Sequence, residues 1–198
     1  AASGAQTYGL SFKEALHTRQ VWLISLVYFC AYFVYNVFVV HMVIYATGQG
    51  FSSTRAVGIM AFLGAAGIAG RIIMGFFADR IGNKQAMLLS AGLMMLALFW
   101  LLMAKDLWML FLVGVAFGFG HGGIATMESP IVANVFGMRS HGVILGLVFF
   151  CDTFGGATGP FLAGYIFDIN SNYSLAFLLC AILGVINLIA ISLLRPLF

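Results

Sequence analysis

Charged side chains are scarce in this sequence and make up 8% of its 198 residues. Soluble globular domains carry about 25% charged residues, so this composition excludes an ordinary water-soluble enzyme or binding domain. Apolar residues take their place, since 63% of the chain is hydrophobic. The composition therefore predicts a protein that lies largely within a lipid bilayer.

Disulfide frameworks and the common catalytic motifs are also lacking. The three cysteines lie in apolar runs and form no CxxC pair, so we predict buried thiols. No GxSxG, HExxH or Walker pattern occurs in the sequence. The net charge of +3 comes from cations in loops, which does not favour nucleic acid as a partner. We therefore expect no enzymatic activity, no metal and no cofactor.

Six long apolar runs occupy most of the chain, and each has about the 20 residues that a helix needs to cross a bilayer. They cover about 21-45, 56-78, 86-104, 107-128, 142-165 and 175-194. We predict an all-α membrane protein, with a six-helix transmembrane bundle over 20-198. The fourth run can continue through Pro130 towards Phe136, because membrane helices tolerate a kink. Residues 1-19 predict a cytoplasmic linker and a surface helix capped by Ser11.

The loop cations predict how these helices are oriented. Cytoplasmic loops carry an excess of Lys and Arg, and the cations here are divided unevenly between the two sides. Both chain ends are therefore expected in the cytoplasm, with the protein in a plasma membrane of the bacterial inner-membrane type. The cations of the richer side are Lys13, Arg19, Arg80, Lys84, Arg139 and Arg195, and those of the other side are Arg55 and Lys105.

The most specific pattern is a polar loop between the second and third runs. It reads Gly-Phe-Phe-Ala-Asp-Arg-Ile-Gly-Asn-Lys from Gly75 to Lys84. The cations Arg80 and Lys84 mark a membrane surface, because they are costly in hydrocarbon. Asp79 could hold the start of the next helix or pair with a cation. Gly82 gives the short turn its backbone freedom.

This loop resembles the loop signature of the major facilitator superfamily, in which two glycines, an Asp-Arg pair and a cation recur. The resemblance implies a twelve-helix fold built from two six-helix halves around a central path. The six runs would then form one half, and the polar start without an initiator Met points to the C-terminal half. Its expected partners are the N-terminal half of the same transporter and the lipid bilayer. The resemblance also implies a conformational gate formed by Gly75, Asp79, Arg80, Gly82 and Lys84.

Shorter segments resemble the monocarboxylate transporter and oxalate–formate antiporter branch of that superfamily. They are residues 41–46, 67–71, 118–123 and 159–164, together with Asp168. The resemblance implies transport of small carboxylates, with Arg71 as the cation that binds the substrate anion. Gly67 stands where some members have an Asp, which disfavours a simple Asp–Arg proton relay. Asp152 lies in the fifth run, where oxalate–formate members have a cation, and this disfavours a dianionic substrate.

Arg71 is the one cation predicted to lie within the membrane. It precedes Asp79 by eight residues, which places it roughly 12 Å inside the cytoplasmic edge of a core about 30 Å thick. A cation at that depth should face a cavity or an acid. Its guanidinium can grip a carboxylate through two hydrogen bonds. Two interpretations stay open: contact with a substrate carboxylate, and a structural ion pair with an acid of another helix.

Four further polar residues within the runs are candidates for proton coupling or substrate binding. Asp152, about 15 Å deep, is either a proton carrier or the fixed partner of Arg71. Glu128 is either an interfacial acid or, if the fourth helix continues, a buried proton-coupling candidate. His41 and His121 could relay protons, and His121 could also contact the substrate. The alternative for each histidine is a packed, neutral ring.

The first run carries a tyrosine stripe, and three runs carry small residues four apart. Tyr28, Tyr32 and Tyr35 share one helix face, so with Asn36 they could hold a substrate oxygen. Plain aromatic packing is the alternative for this stripe. The small-residue pairs predict close helix contacts. They are Ala66 and Gly70, Gly114 and Gly118, and Gly155 and Gly159.

We therefore predict a secondary active transporter that moves small monocarboxylates by alternating access. Coupling could be to a proton, as in a symporter, or to a second anion, as in an antiporter. A facilitator for neutral solutes or drugs is the nearest alternative. A membrane sensor or scaffold that binds a ligand without moving it is the alternative from another class.

Overall fold

A computed structural model of the chain describes residues 8–197, and six helical segments in this range are long and apolar enough to cross a membrane. This confirms the predicted all-α fold with six spans. Α5 and α6 together form the fourth span, Leu107–Phe136. The helices are α1 Phe12–Leu16, α2 Arg19–Gly48, α3 Ser53–Ile81, α4 Asn83–Met103, α5 Leu107–Thr126, α6 Glu128–Phe136, α7 His141–Asn170 and α8 Ser174–Leu193.

The fourth span is longer than the apolar run over residues 107–128. Met127 separates α5 from α6, and the chain continues as a helix through Pro130 to Phe136. Pro130 lies in the first turn of α6, where its missing N–H costs least. Glu128 consequently lies within the span and not at its end, and its side chain is 5% exposed.

Close helix contacts at glycine hold the bundle together. Helix α3 packs chiefly on α5, and α2 packs chiefly on α7. A Cβ atom at Gly70 would overlap the backbone of Phe119, and one at Gly155 would overlap the backbone of Phe29. Larger residues at these positions would force the helices apart. These contacts bear out the small-residue prediction for the second and fifth runs.

Two helices leave most of their apolar surface uncovered. Within the most apolar window of each span, 22% of α3 and 28% of α7 is buried, against 56% of α2. Both helices carry large exposed side chains along their length, including Phe76, Phe77, Phe150 and Phe161. Apolar faces of this extent are typical of contact with lipid or with another protein segment.

The loop between α3 and α4 forms a tight joint. Gly82 ends α3 and precedes α4 with a φ of 90°, a backbone conformation that favours glycine. Lys84 Nζ donates to the carbonyl oxygens of Ser192 at 2.6 Å and Leu194 at 2.7 Å, so it ties this joint to the end of α8. Asp79 is exposed and, among residues 8–197, neither caps α4 nor forms an ion pair. The predicted local role of its carboxylate is therefore wrong for this conformation.

The N-terminal segment is fastened to the same end of the bundle. Gly9 and Gly137 form an isolated antiparallel bridge. Ser11 and Glu14 form a capping box at the start of α1, and Glu14 Oε2 lies 3.9 Å from Arg139 Nη1. The hydrogen bond from the Ser11 backbone holds the pKa of the exposed Glu14 carboxyl below its ordinary value of 4.5.

Candidate functional site

A cavity of about 210 Å³ opens between α2, α3 and α5. Three polar side chains line it, one from each helix: Tyr35, Arg71 and His121. Much of the remaining wall is glycine, which leaves the space beside these side chains open. The structure therefore brings together three of the residues predicted to bind substrate. The other lining residues are Leu63, Gly64, Gly67, Ile68, Gly118 and Gly122.

Arg71 enters this cavity without a protein partner. Gly70, its neighbour in α3, is pressed against the backbone of Phe119, and this contact fixes where Arg71 leaves the helix. Within residues 8–197 the one ion pair joins Arg139 to Glu14, so Arg71 is not paired with Asp152. The interpretation of Arg71 as half of a structural ion pair is thus not supported. A cation in a membrane-spanning segment calls for an anion or a polar cavity.

His121 is held between two tyrosine rings of α2. The ring of Tyr35 stacks on the imidazole with centroids 3.5 Å apart and planes 9° apart. The ring of Tyr32 meets the imidazole edge-on with centroids 5.2 Å apart. Nδ1 of His121 is buried and has no hydrogen-bond partner among the described residues. Because buried polar atoms are nearly always bonded, this atom marks a place where a change in the site could add a bond.

Two buried acids lie on the other side of Tyr32. Glu128 begins α6 and Asp152 lies in α7, with 5% and 7% of their surfaces exposed. Their carboxyl groups are within hydrogen-bonding reach of each other. Tyr32 Oη lies 3.5 Å from Glu128 Oε2, and Thr153 Oγ1 donates to Asp152 Oδ1 at 3.0 Å. Sequence reasoning considered each acid alone and missed this pairing, although the continuation of the fourth run past Glu128 was a signal for it.

The remaining candidates of the first helix lie outside the cavity. Asn36 Nδ2 donates to the carbonyl oxygen of Tyr32 at 3.0 Å, within its own helix. His41 Nε2 lies 2.9 Å from the carbonyl oxygen of Pro160, and Nδ1 lies 3.0 Å from Tyr173 Oη. Both nitrogens of His41 are therefore occupied by contacts to other parts of the bundle. This favours the packed interpretation of His41 over a proton relay.

The predicted gate residues lie at the end of α3 and the start of α4, and none of them lines the cavity. Gly75 faces α5, where a Cβ atom would lie 3.7 Å from a methyl group of Thr126. Asp79 and Arg80 are exposed. The structure thus separates the loop from the site, as a gate that acts at a distance requires.

Comparison with known proteins gives one consistent family. The profile of the Major Facilitator Superfamily matches residues 3–104 and 69–197. Monocarboxylate transporter 12 of Mus musculus is 30% identical over 194 residues, which covers 96% of this chain and 39% of that protein. Monocarboxylate transporter 7 of Homo sapiens is 30% identical over 151 residues, covering 74% of this chain and 29% of that protein. The chain thus spans about two fifths or less of the length of these relatives.

Solved structures show the same fold at lower identity. A crystal structure of the peptide transporter POT in complex with alafosfalin superposes with a TM-score of 0.80 at 21% identity, covering 93% of this chain and 39% of that one. The fucose:proton symporter FucP of E. coli gives a TM-score of 0.77 at 17% identity, covering 93% of this chain and 46% of that one. The six-helix bundle corresponds to one half of such a fold.

Proposed function

The chain belongs to the major facilitator superfamily, and on this premise we propose that it is the C-terminal half of a secondary transporter that moves small monocarboxylates by alternating access. The family and the six apolar spans make it an integral membrane protein, in a class of transporters and not of enzymes. The names of its relatives support a carboxylate as substrate, since two of them at 30% identity are monocarboxylate transporters.

The unpaired guanidinium of Arg71 in the cavity is the observation that carries this proposal. A planar guanidinium binds a carboxylate through two parallel hydrogen bonds, so a single free Arg suits a substrate with one carboxylate. A facilitator for neutral solutes has no need of a cation at this depth. The small volume of the cavity and its aromatic wall of Tyr35 favour a compact anion with an apolar remainder.

Charge on the far side of the site favours a monoanion. Glu128 and Asp152 lie behind Tyr32, opposite Arg71, and no second cation lines the cavity among the described residues. A second carboxylate on the substrate would approach these acids without a compensating charge. The proposed substrate class is therefore small monocarboxylates, moved either with a proton or in exchange for another anion.

The exposed faces of α3 and α7 support a missing partner in the bilayer. These helices are the least covered of the spans in the described part of the chain, and α3 also carries Arg71. We propose that they pack against the N-terminal half and close the cavity from the opposite side. The cation excess supports a cytoplasmic position for both chain ends in the plasma membrane.

The loop at the end of α3 would bias the two access states without touching the substrate. Lys84 is bonded to the end of α8, so the joint moves with the bundle. Asp79 and Arg80 are exposed and free of ion pairs among the described residues, which leaves them available to the other half. Such contacts would stabilise one state over the other.

Uptake of a labelled monocarboxylate by the intact protein in liposomes tests the proposal. Arg71→Lys keeps the charge and loses the bidentate geometry, so it should retain weak transport, and Arg71→Ala almost none. Removing one partner of a desolvated pair costs about 2–5 kcal/mol, or roughly 30-fold to several-thousand-fold in affinity. Arg55→Ala is the matched control, because Arg55 is an exposed cation in the first turn of the same helix.

Two outcomes would favour the alternatives. Wild-type uptake by Arg71→Ala would favour a facilitator for neutral solutes. Binding of the carboxylate to the wild-type protein without any uptake or exchange would favour a sensor or scaffold.

A further inference from the structure

We propose that Glu128 and Asp152 form one proton site, in which a single proton is shared between the two carboxyl groups and is bound and released once in each transport cycle. This inference rests on the proposed function, which leaves proton coupling and anion exchange open. It selects proton coupling and assigns the proton to a pair of residues from two helices.

Burial and contact of the two acids are the first support. Both side chains are more than nine-tenths buried, and their carboxyl groups are within hydrogen-bonding reach. No cation lies between them, because Arg71 reaches Tyr32 and not the pair itself. Two carboxylates that touch in a buried site cannot both be ionised cheaply, so one proton is held by the pair and not by either residue alone.

An unsatisfied oxygen is the second support. Glu128 Oε1 is buried and has no hydrogen-bond partner among the described residues. The other oxygen of Glu128 faces the hydroxyl of Tyr32, and one oxygen of Asp152 accepts from Thr153. A proton between the two acids supplies the donor that is missing. The pair is then fully bonded with one proton and under-bonded with none.

Tyr32 connects this pair to the cavity. Its ring meets His121, which lines the cavity, and its hydroxyl faces Glu128. The charged and titratable groups that act on the pair or on Tyr32 are Tyr28 and Tyr32 of α2, Arg71 of α3 and His121 of α5. A connection through one side chain is short enough for the two sites to sense each other's charge.

The sign of the coupling follows from the charges. A carboxylate bound to Arg71 cancels a positive charge near Tyr32, which makes a proton on the pair more favourable. The effect is reciprocal, so a proton on the pair also favours the anion. The proton comes from water on the side to which the cavity opens and returns to water on the other side, and the O–H bond is the only bond that forms or breaks. One anion and one proton would therefore cross together.

Infrared difference spectroscopy of the intact protein in detergent tests the shared proton directly. The wild-type protein should show the C=O stretch of one protonated carboxyl near neutral pH, and this band should disappear on alkaline titration. Glu128→Gln and Asp152→Asn should each remove the same band, because the proton belongs to both residues. Asp106→Asn should leave it in place, since Asp106 is an exposed acid outside the cluster.

Three spectroscopic results would overturn the inference. They are no protonated carboxyl in the wild type near neutral pH, two bands each lost in a different variant, or a band that survives both substitutions. Should either substitution prevent folding, the alkaline titration of the wild-type band still decides the matter. Tyr32→Phe then serves as the second variant and should shift the frequency of that band. An unshifted band would contradict the contact on which the coupling depends.

Transport assays separate this inference from the proposed function. In liposomes, Asp152→Asn and Glu128→Gln should retain exchange of labelled substrate and lose accumulation driven by a pH gradient. Gradient-driven accumulation by both variants at the wild-type level would refute the shared proton and leave carboxylate transport intact. Absence of any carboxylate transport by the wild type would refute the proposed function, and the infrared result would still stand or fall on its own.

Discussion

Replacement of Gly70 by alanine is a sharp test of how the site is positioned. A Cβ atom at Gly70 would lie 2.9 Å from the Cα atom of Phe119 and closer still to its carbonyl oxygen. Carbon atoms in contact are about 3.5–4.0 Å apart, so α3 and α5 would have to separate by roughly 0.6–1 Å. Because Arg71 is the next residue, this separation would also move the guanidinium away from His121.

The expected cost of Gly70→Ala can be estimated from two opposing effects. Overpacking in a tight contact costs about 1–3 kcal/mol. Alanine in a helix interior returns about 0.5–1 kcal/mol relative to glycine. We expect a net loss of about 1–2 kcal/mol, or a fall in Tm of about 2–8 °C for a bundle of this size.

Thermal unfolding in detergent provides the assay, with Gly92→Ala as the matched control. Gly92 lies in α4, and a Cβ atom there would meet nothing within 4 Å. Gly92→Ala should therefore raise Tm slightly, since only the helix preference changes. Equal Tm values for the two variants would refute the reasoning, because they would show that α3 and α5 do not approach as closely as the structure has them.

The other predictions concern the end of the bundle that carries most of the cations. Asp79→Asn and Arg80→Ala should slow transport and leave substrate affinity nearly unchanged, and a large loss of binding would contradict the gate. Lys84→Met removes two hydrogen bonds to the last carbonyls of α8, so amide exchange there should accelerate by about 1–2 kcal/mol of lost protection. Because the pKa of Glu14 is lowered, its cap contributes stability above pH 4.5 that is lost on further acidification. Exchange at the Ser11 amide should rise only in acid, and Glu14→Gln should abolish this dependence.

The six spans were predictable because length and hydropathy alone decide whether a helix can cross a bilayer. The turn at Gly82 and the cap at Ser11 were also predictable, since each depends on the local backbone and on neighbouring residues. The ends of the spans were less so. Helix α7 continues to Asn170, well past the apolar run, because hydropathy does not report where a helix stops.

The partners of the buried polar residues depend on packing between distant parts of the chain. His41 binds Tyr173, which is 132 residues further along, and nothing in either local sequence indicates that contact. Depth along the helices suggested that Arg71 and Asp152 could pair, but depth says nothing about the direction in which each side chain leaves its helix. The structure instead directs Asp152 to Glu128 and leaves Arg71 in the cavity.

Binding of a small monocarboxylate and of its uncharged amide to the intact protein tests most directly whether Arg71 recognises a carboxylate. The two ligands have nearly the same size and differ in charge, so calorimetry on both isolates the contribution of the guanidinium. The wild-type protein should bind the acid and not the amide, and Arg71→Ala should lose the preference together with the affinity. Equal binding of acid and amide by the wild type, or an unchanged preference in Arg71→Ala, would contradict the central claim that Arg71 holds the substrate anion.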